Sequence, residues 1–327
     1  MPKKKIQNNN QLSFLSPATP KSNCPISASK ISNYSVFQSA ELSTPTYIRE
    51  NGLLFTDDSL QWLKTIKDAS IDMIFADPPY NIKKADWDKF DSQEQYISWS
   101  MNWISEAARI LKPTGSLYIC GFSEILADLK HPSMKYFAAC KWLVWYYKNK
   151  ANLGSDWGRS HESILHLRKS KYFHLNIDEI RIPYSKHTLK YPSHPQAESS
   201  QYSNGKLSSS IWTPNPLGAK PKDVIEIPTT CNGMSEKTKH PTQKPEELLR
   251  KLILASSKIG DIIVDPFSGS GTTIVVAEQL HRLWLGCEMN PEYNSWAINR
   301  IDHVIPRSID QWIQFDKDNL NRREAIR

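Results

Sequence analysis

No stretch of this 327-residue chain carries the roughly 18 consecutive apolar residues that a membrane-spanning helix requires. The basic start Met1-Pro2-Lys3-Lys4-Lys5 runs into Asn and Gln rather than into an apolar h-region, so no secretory leader is expected. Cysteine is sparse and scattered. Cys24, Cys120, Cys140, Cys231 and Cys287 form no C-x-x-C and no Cys/His cluster, which argues against a disulfide framework and against a zinc site. No metal is expected, and a reducing cytosol is the expected compartment. Internal repeats are absent as well.

What is present is a soluble composition with a basic balance. The hydrophobic fraction is 39% and the mean hydropathy is −0.53. The length accommodates one large α/β domain with an insertion, or two modest domains. A net charge of +7 favours a polyanionic partner, although cytosolic enzymes without one reach similar values. Eleven Trp and thirteen Tyr supply aromatic surface that stacks on bases in some proteins and fills cores in most.

Along the chain, residues 1–45 are rich in Ser, Asn, Gln, Lys and Pro without a sustained period, and read as a disordered basic tail. Order begins near Leu53-Leu54-Phe55, a short strand, followed by a helical stretch through Leu60, Leu63 and Ile66. Residues 71–76 form a buried strand, residues 93–111 a helix stopped by Pro113 and Gly115, and 116–120, 142–147 and 163–167 further strands. Strands alternating with helices at this spacing predict a mostly parallel, doubly wound α/β sheet. Between 175 and 238 the pattern breaks down among Pro183, Pro192, Pro195, Pro214, Pro216, Pro221 and Pro228. So long an irregular stretch reads as a functional insertion. Regularity returns with a helix over 246–256, a strand over 262–264, a glycine-rich loop, a helix over 272–280, a strand over 284–287 and a helix over 292–301. Residues 306–327 read as a polar tail. The domains are thus 46–174 and 239–305, two halves of one unit, with the insertion 175–238 between them.

Two motifs stand at predicted strand ends. Asp77-Pro78-Pro79-Tyr80 follows the strand over 71–76, and Asp265-Pro266-Phe267-Ser268-Gly269-Ser270-Gly271, with Thr272, follows the strand over 262–264. A rigid turn would account for the first alone, and an ordinary strand-to-helix turn for the second. Strand, glycine loop and helix in that order also let backbone approach a ligand closely, with helix N–H groups as donors. No Lys follows Gly271, as a phosphate-binding P-loop requires, and Ile274 occupies the place of the third glycine of the dinucleotide fingerprint. The loop therefore fits a sulfonium nucleoside better than a triphosphate. Glu288, at a strand end about 20 residues past the loop, stands where ribose hydroxyls lie in such sites.

The tetrad resembles the DPPY motif of the DNA amino-methyltransferases, and the loop resembles their S-adenosylmethionine site. The catalytic motif precedes the cofactor motif, an order similar to that of the permuted β-group found in bacterial restriction-modification systems. Three further pieces carry the resemblance. Asp58 matches the acid that meets the cofactor adenine; the preceding Gly of the family is Asp57 here, which leaves the choice between the two acids open. His240-Pro241-Thr242-Gln243-Lys244-Pro245 matches the segment beside the cofactor methionine, with Thr242 and Lys244 as candidate contacts. Asn81 agrees with the DPPYN form. The resemblance spans about residues 52–172 and 238–303.

It implies a methyltransferase of Rossmann-like fold with both motifs at the C-terminal edge of the sheet, and S-adenosylmethionine as cofactor. It also implies DNA as partner, a cognate endonuclease and a homodimer, with the protein cytoplasmic on the nucleoid. An exocyclic amine is a poor nucleophile because its lone pair is delocalised into the ring, and two acceptors on its N–H groups draw that lone pair out of plane. In the family these are the Asp77 carboxylate and the Pro78 carbonyl, held by Pro79, while Tyr80 stacks on a flipped base. Asp at the first tetrad position tilts the target toward adenine N6, since the Ser form accompanies cytosine N4. A cytosine-N4 enzyme, a methyltransferase acting on RNA or a protein glutamine, and a catalytically silent DNA-binding module remain the alternatives. The insertion is expected to read DNA sequence, with Lys186, Lys190, Lys206, Lys220 and Lys222 as candidate phosphate partners.

Overall fold

A computed structural model describes residues 30, 36–38, 44–82, 88–149, 155–190, 194–197, 207–305 and 307–325. In chain order its elements are β1 (Tyr47–Arg49), β2 (Gly52–Phe55), α1 (Ser59–Lys64), β3 (Ile71–Ala76), α2 (Gln93–Ile110), β4 (Leu111–Gly121), α3 (Ser123–Ser133), β5 (Ala139–Tyr146) and β6 (His161–Arg168). The insertion follows with α4 (Lys186–Lys190), β7 (His194–Ala197), β8 (Leu207–Trp212) and β9 (Val224–Glu226). The chain then continues with α5 (Glu246–Ser256), β10 (Ile262–Asp265), α6 (Thr272–Gln279), β11 (Leu283–Cys287), α7 (Pro291–Asp302) and α8 (Ile309–Ala325).

Nine strands form one sheet in the order β1-β2-β11-β10-β3-β4-β6-β5-β9. The four contacts joining β2, β11, β10, β3 and β4 are all parallel, so the central sheet is the mostly parallel, doubly wound one expected. Parallel strands are covered on both faces, and the sequence of β3 reflects it. Ile74 and Ala76 enter one core with Trp62 of α1, Trp103 and Ile104 of α2, and Leu126 and Leu129 of α3. Met73 and Phe75 enter the other, with Leu248, Leu252 and Ile253 of α5, Ile274 of α6 and Ala297 of α7. Each buried Leu, Ile, Met or Phe side chain among them contributes about 1.5–3 kcal/mol.

Connectivity locates the crevice. From β3 the chain crosses through α2 to β4 on one side, whereas from β10 it crosses through α6 to β11 on the other. The strands β3 and β10 are themselves parallel neighbours, with Ile263 beside Met73 and Val264 beside Ile74. Crossovers that leave adjacent strands in opposite directions open a cleft at their C-terminal ends, where open α/β sheets bind ligands. Asp77 and Asp265 stand at those two ends.

Several expectations are revised. The strand placed at 116–120 begins already at Leu111, and a register irregularity between Ile71 and Met73 absorbs the Pro113-Gly115 segment that was read as a turn. The insertion is not separate from the sheet: β9 pairs in parallel with β5, Val144 beside Val224 and Tyr146 beside Glu226. Residues Ile309–Ala325 form a helix docked on the domain rather than a tail. Trp312 is buried against α5, and Arg250 pairs with Asp316 at 2.8 Å while Arg323 pairs with Glu247. Part of that anchorage is ionic and made to residues distant in sequence, so the segment reads as polar. Most of the expected basic tail lies outside the described residues, but within it Val36 is buried and Phe37 bridges Ile66.

Candidate active site

The glycine loop is shaped by backbone that only glycine adopts readily. Gly269 and Gly271 have φ of +52° and +77°, and a Cβ on Gly271 would lie 2.6 Å from that of Ala297. Gly271 caps α6, while Gly269 N–H donates to Glu288 at 2.8 Å. The other oxygen of Glu288 accepts from Asn290 N–H at 2.8 Å, so this one carboxylate ties the loop to the start of α7. Asp265 Oδ1 accepts from Phe267 N–H at 3.0 Å, and burial pushes its carboxyl up to about 7. Ser268 Oγ is buried with no hydrogen-bond partner among the described residues.

The tetrad side is a compact polar cluster. Lys244 Nζ donates to Asp77 Oδ2 at 2.6 Å, and Tyr80 OH donates to Asp77 Oδ1 at 2.5 Å. A second buried carboxylate, Glu162 at the start of β6, lies 3.5 Å from Lys244 Nζ and 3.4 Å from Tyr80 OH. Burial raises the Asp77 carboxyl against the pull of Lys244. Burial opposes the charge on Lys244, but Asp77 and Glu162 hold its pKa above the ordinary lysine value, so the ammonium persists. The turn that follows is secured by Asp88, whose carboxylate accepts from the N–H groups of Tyr80, Asn81 and Ile82 at 2.6, 2.6 and 3.2 Å. That anchorage holds Asn81 at φ +56°.

Between the two sides is a cavity of about 350 Å³, within the range of small-ligand sites. Asp77, Pro79, Thr242 and Lys244 line it from one side, and Asp265, Phe267, Ser268, Gly269, Ser270, Thr272 and Glu288 from the other. Of the two candidate acids on β2's far end, Asp58 lines the cavity and caps α1 through Gln61 N–H at 2.9 Å, whereas Asp57 Oδ1 is taken by Asp58 N–H at 2.8 Å. Pro78, Tyr80, Pro266 and Gly271 lie behind the lining and shape it.

One role differs from expectation. Tyr80 is only 9% exposed, its ring edge-on to Phe122 at 5.0 Å, so its face is not open for stacking in this state. Lys244 lines the cavity, and its ammonium is at the same time paired with the tetrad carboxylate.

The sequence profile described as DNA methylase matches residues 71–299. The chain belongs to the DNA methylase family. Its curated relatives include the Type II methyltransferase M1.MboII of Moraxella bovis, 36% identical over 72% of this chain and 91% of that one. Another is the DNA adenine methyltransferase YhdJ of Escherichia coli, 32% identical over 82% of this chain and 90% of that one. Among solved structures, the fold is similar to that of the cytosine-N4-specific PvuII DNA methyltransferase, with a TM-score of 0.61, 19% identity and coverage of 84% and 94%. It is also similar to M1.HpyAVI solved as a SAM complex, with a TM-score of 0.51, 22% identity and coverage of 77% and 99%.

In this DNA methylase the motifs do not account for the whole cavity. Phe90, Trp99 and Trp103 form an aromatic wall with Phe267, the Trp99 and Trp103 rings lying 5.8 and 5.2 Å from that of Phe267. Both tryptophans stand inside the helix expected over 93–111 and belong to neither motif, so the sequence does not single them out. His240 lies under the loop, its Nε2 3.0 Å from where a Gly269 Cβ would be, and packs on Tyr293 at 4.5 Å. Glu162 carried no sequence signal beyond its strand, since only the antiparallel course of β6 brings it to the catalytic edge.

Proposed function

We propose that this DNA methyltransferase methylates the exocyclic N6 amine of adenine within a specific DNA sequence, in a restriction-modification setting. S-adenosylmethionine is the cofactor of the family, and when bound it supplies an electrophilic methyl group at sulfur. The residues suit such a ligand. Phe267, Trp99 and Phe90 offer an apolar slot for its purine and Asp58 an acceptor at the slot's edge. Glu288 keeps lone-pair capacity for ribose hydroxyls beyond the backbone N–H groups it accepts from, and Ser268 Oγ, without a partner among the described residues, can meet a polar atom of the ligand.

Asp77 and the Pro78 carbonyl then accept the two N–H groups of the target amine, pull its lone pair toward the donor and stabilise the charge that develops on nitrogen. Asp77 takes the proton released as the N–C bond forms. The target base must leave the helix to reach so buried a carboxylate. Exposed Lys186, Lys190, Lys220 and Lys222 suit phosphate contacts by the insertion; Lys206 lies outside the described residues. A cognate endonuclease and a homodimer are further expectations of this reading.

The observation that carries adenine over cytosine is Asp77 itself, a carboxylate where the cytosine-N4 branch carries Ser; the name of the Escherichia coli relative adds support. The cytosine alternative is kept open by the PvuII neighbour. Incubation with unmethylated DNA and radiolabelled S-adenosylmethionine, followed by nucleoside analysis, decides. Label in N6-methyladenine is expected, and label in N4-methylcytosine would replace this reading with the alternative.

A further inference from the structure

The tetrad cluster contains one cation and two carboxyl groups. Lys244 Nζ is 2.6 Å from Asp77 and 3.5 Å from Glu162, all three largely withdrawn from water. Because β6 runs antiparallel to β4, pairing Ser163 with Gly121, it is the start of β6 and not its end that lies at the catalytic edge. Glu162 is therefore delivered beside the end of β3. Its other neighbours are Tyr80 OH, Cys120 Sγ at 3.6 Å and, near by, Tyr147.

The arrangement poses a problem for the reaction. Asp77 already accepts from Tyr80 on one oxygen and from Lys244 on the other, and the ammonium 2.6 Å away draws electron density from the carboxylate that must accept an N–H from the base and take its proton. Lys244 cannot simply let go, because a buried ammonium without a counter-charge costs several kcal/mol. A second carboxylate within reach removes that obstacle. We infer that Glu162 is a positioning residue that takes over the Lys244 ammonium, which leaves Asp77 the stronger acceptor and base for the target amine. The inference rests on the reading of Asp77 as the amine acceptor.

In Glu162→Gln the amide cannot replace the counter-charge, so Lys244 stays locked on Asp77. The expected result in single-turnover methyl transfer at saturating S-adenosylmethionine is a rate loss of roughly 100-fold, the size typical of losing one charge-stabilising group. Cofactor Kd and the KM for DNA should stay within about threefold, since neither ligand is bound by Glu162 itself. The deciding variant is Glu162→Gln combined with Lys244→Met. It removes the cation together with its second anchor, leaves no unpaired buried ammonium, and releases Asp77, so the rate should recover at least about tenfold over Glu162→Gln alone. A merely structural role for Glu162 predicts a further loss instead. A Glu162→Gln rate within threefold of wild type overturns the inference, as does a double variant no faster than the single one. Asp77→Ala, measured alongside, separates the premises: if it retains transfer, the acceptor reading itself has failed, whereas an inactive Asp77→Ala beside an unaffected Glu162→Gln sinks only the role of Glu162.

Discussion

Lys244 Nζ lies 2.6 Å from Asp77 Oδ2 across a sequence separation of 167 residues. That contact joins the segment before α5 to the end of β3. It makes the tetrad and the HPTQKP string parts of one cluster rather than two independent motifs, and it places a permanent positive charge against the carboxylate assigned to the amine.

Asp77→Ala should abolish methyl transfer while cofactor affinity changes by no more than a few-fold, because Asp77 lies on the base side of the cavity. Single-turnover assays with calorimetric titration of S-adenosylmethionine check this. Loss of cofactor binding alone would mean that Asp77 serves the cofactor and not the amine.

Gly271→Ala should lower stability by about 1–3 kcal/mol, the usual cost of forcing a side chain into left-handed backbone, with the 2.6 Å approach to Ala297 adding to it. Cofactor affinity should fall in parallel, since the residue sets the start of α6. Urea unfolding and a binding titration of the same variant report both.

Asp265 gives a pH dependence with a definite sign. Its carboxyl is raised from 3.8 to about 7 by burial, so the folded chain holds a proton that the unfolded chain has released. Its stabilising contribution is complete below about pH 4 and is lost as pH rises to 7, a change of order a few kcal/mol. Asp265→Asn lacks this term. Its Tm relative to wild type should therefore increase between pH 5 and pH 8; a constant difference would show that Asp265 is ionised throughout.

Trp312→Ala should destabilise the fold by about 3–5 kcal/mol, the range for a large buried aromatic. Trp312 is 4% exposed, with Arg250 stacked 4.7 Å from its ring centre. Chemical denaturation measures it, and a cost under about 0.5 kcal/mol would return residues 309–325 to the status of a polar tail.

The parts of this protein written in short contiguous stretches are legible from sequence because local backbone chemistry dictates them. Ile71–Ala76 reads as a buried strand, Asp77-Pro78-Pro79-Tyr80 as a stiff turn, and Gly269 and Gly271 as a loop that lets backbone approach a ligand closely; their order along the chain carries the family resemblance. What the tertiary structure alone decides is which distant charges meet. Asp58 rather than Asp57 reaches the cavity because α1 uses it as a cap. Trp99 and Trp103 become a ligand wall because the end of β10 brings Phe267 against α2. Arg250 and Asp316 turn an apparently polar tail into a docked helix. Glu162 enters the catalytic cluster because β6 reverses direction beside β4. Strands and turns follow from neighbouring residues, whereas burial and charge pairing depend on elements that are remote in sequence and adjacent only after the sheet has formed.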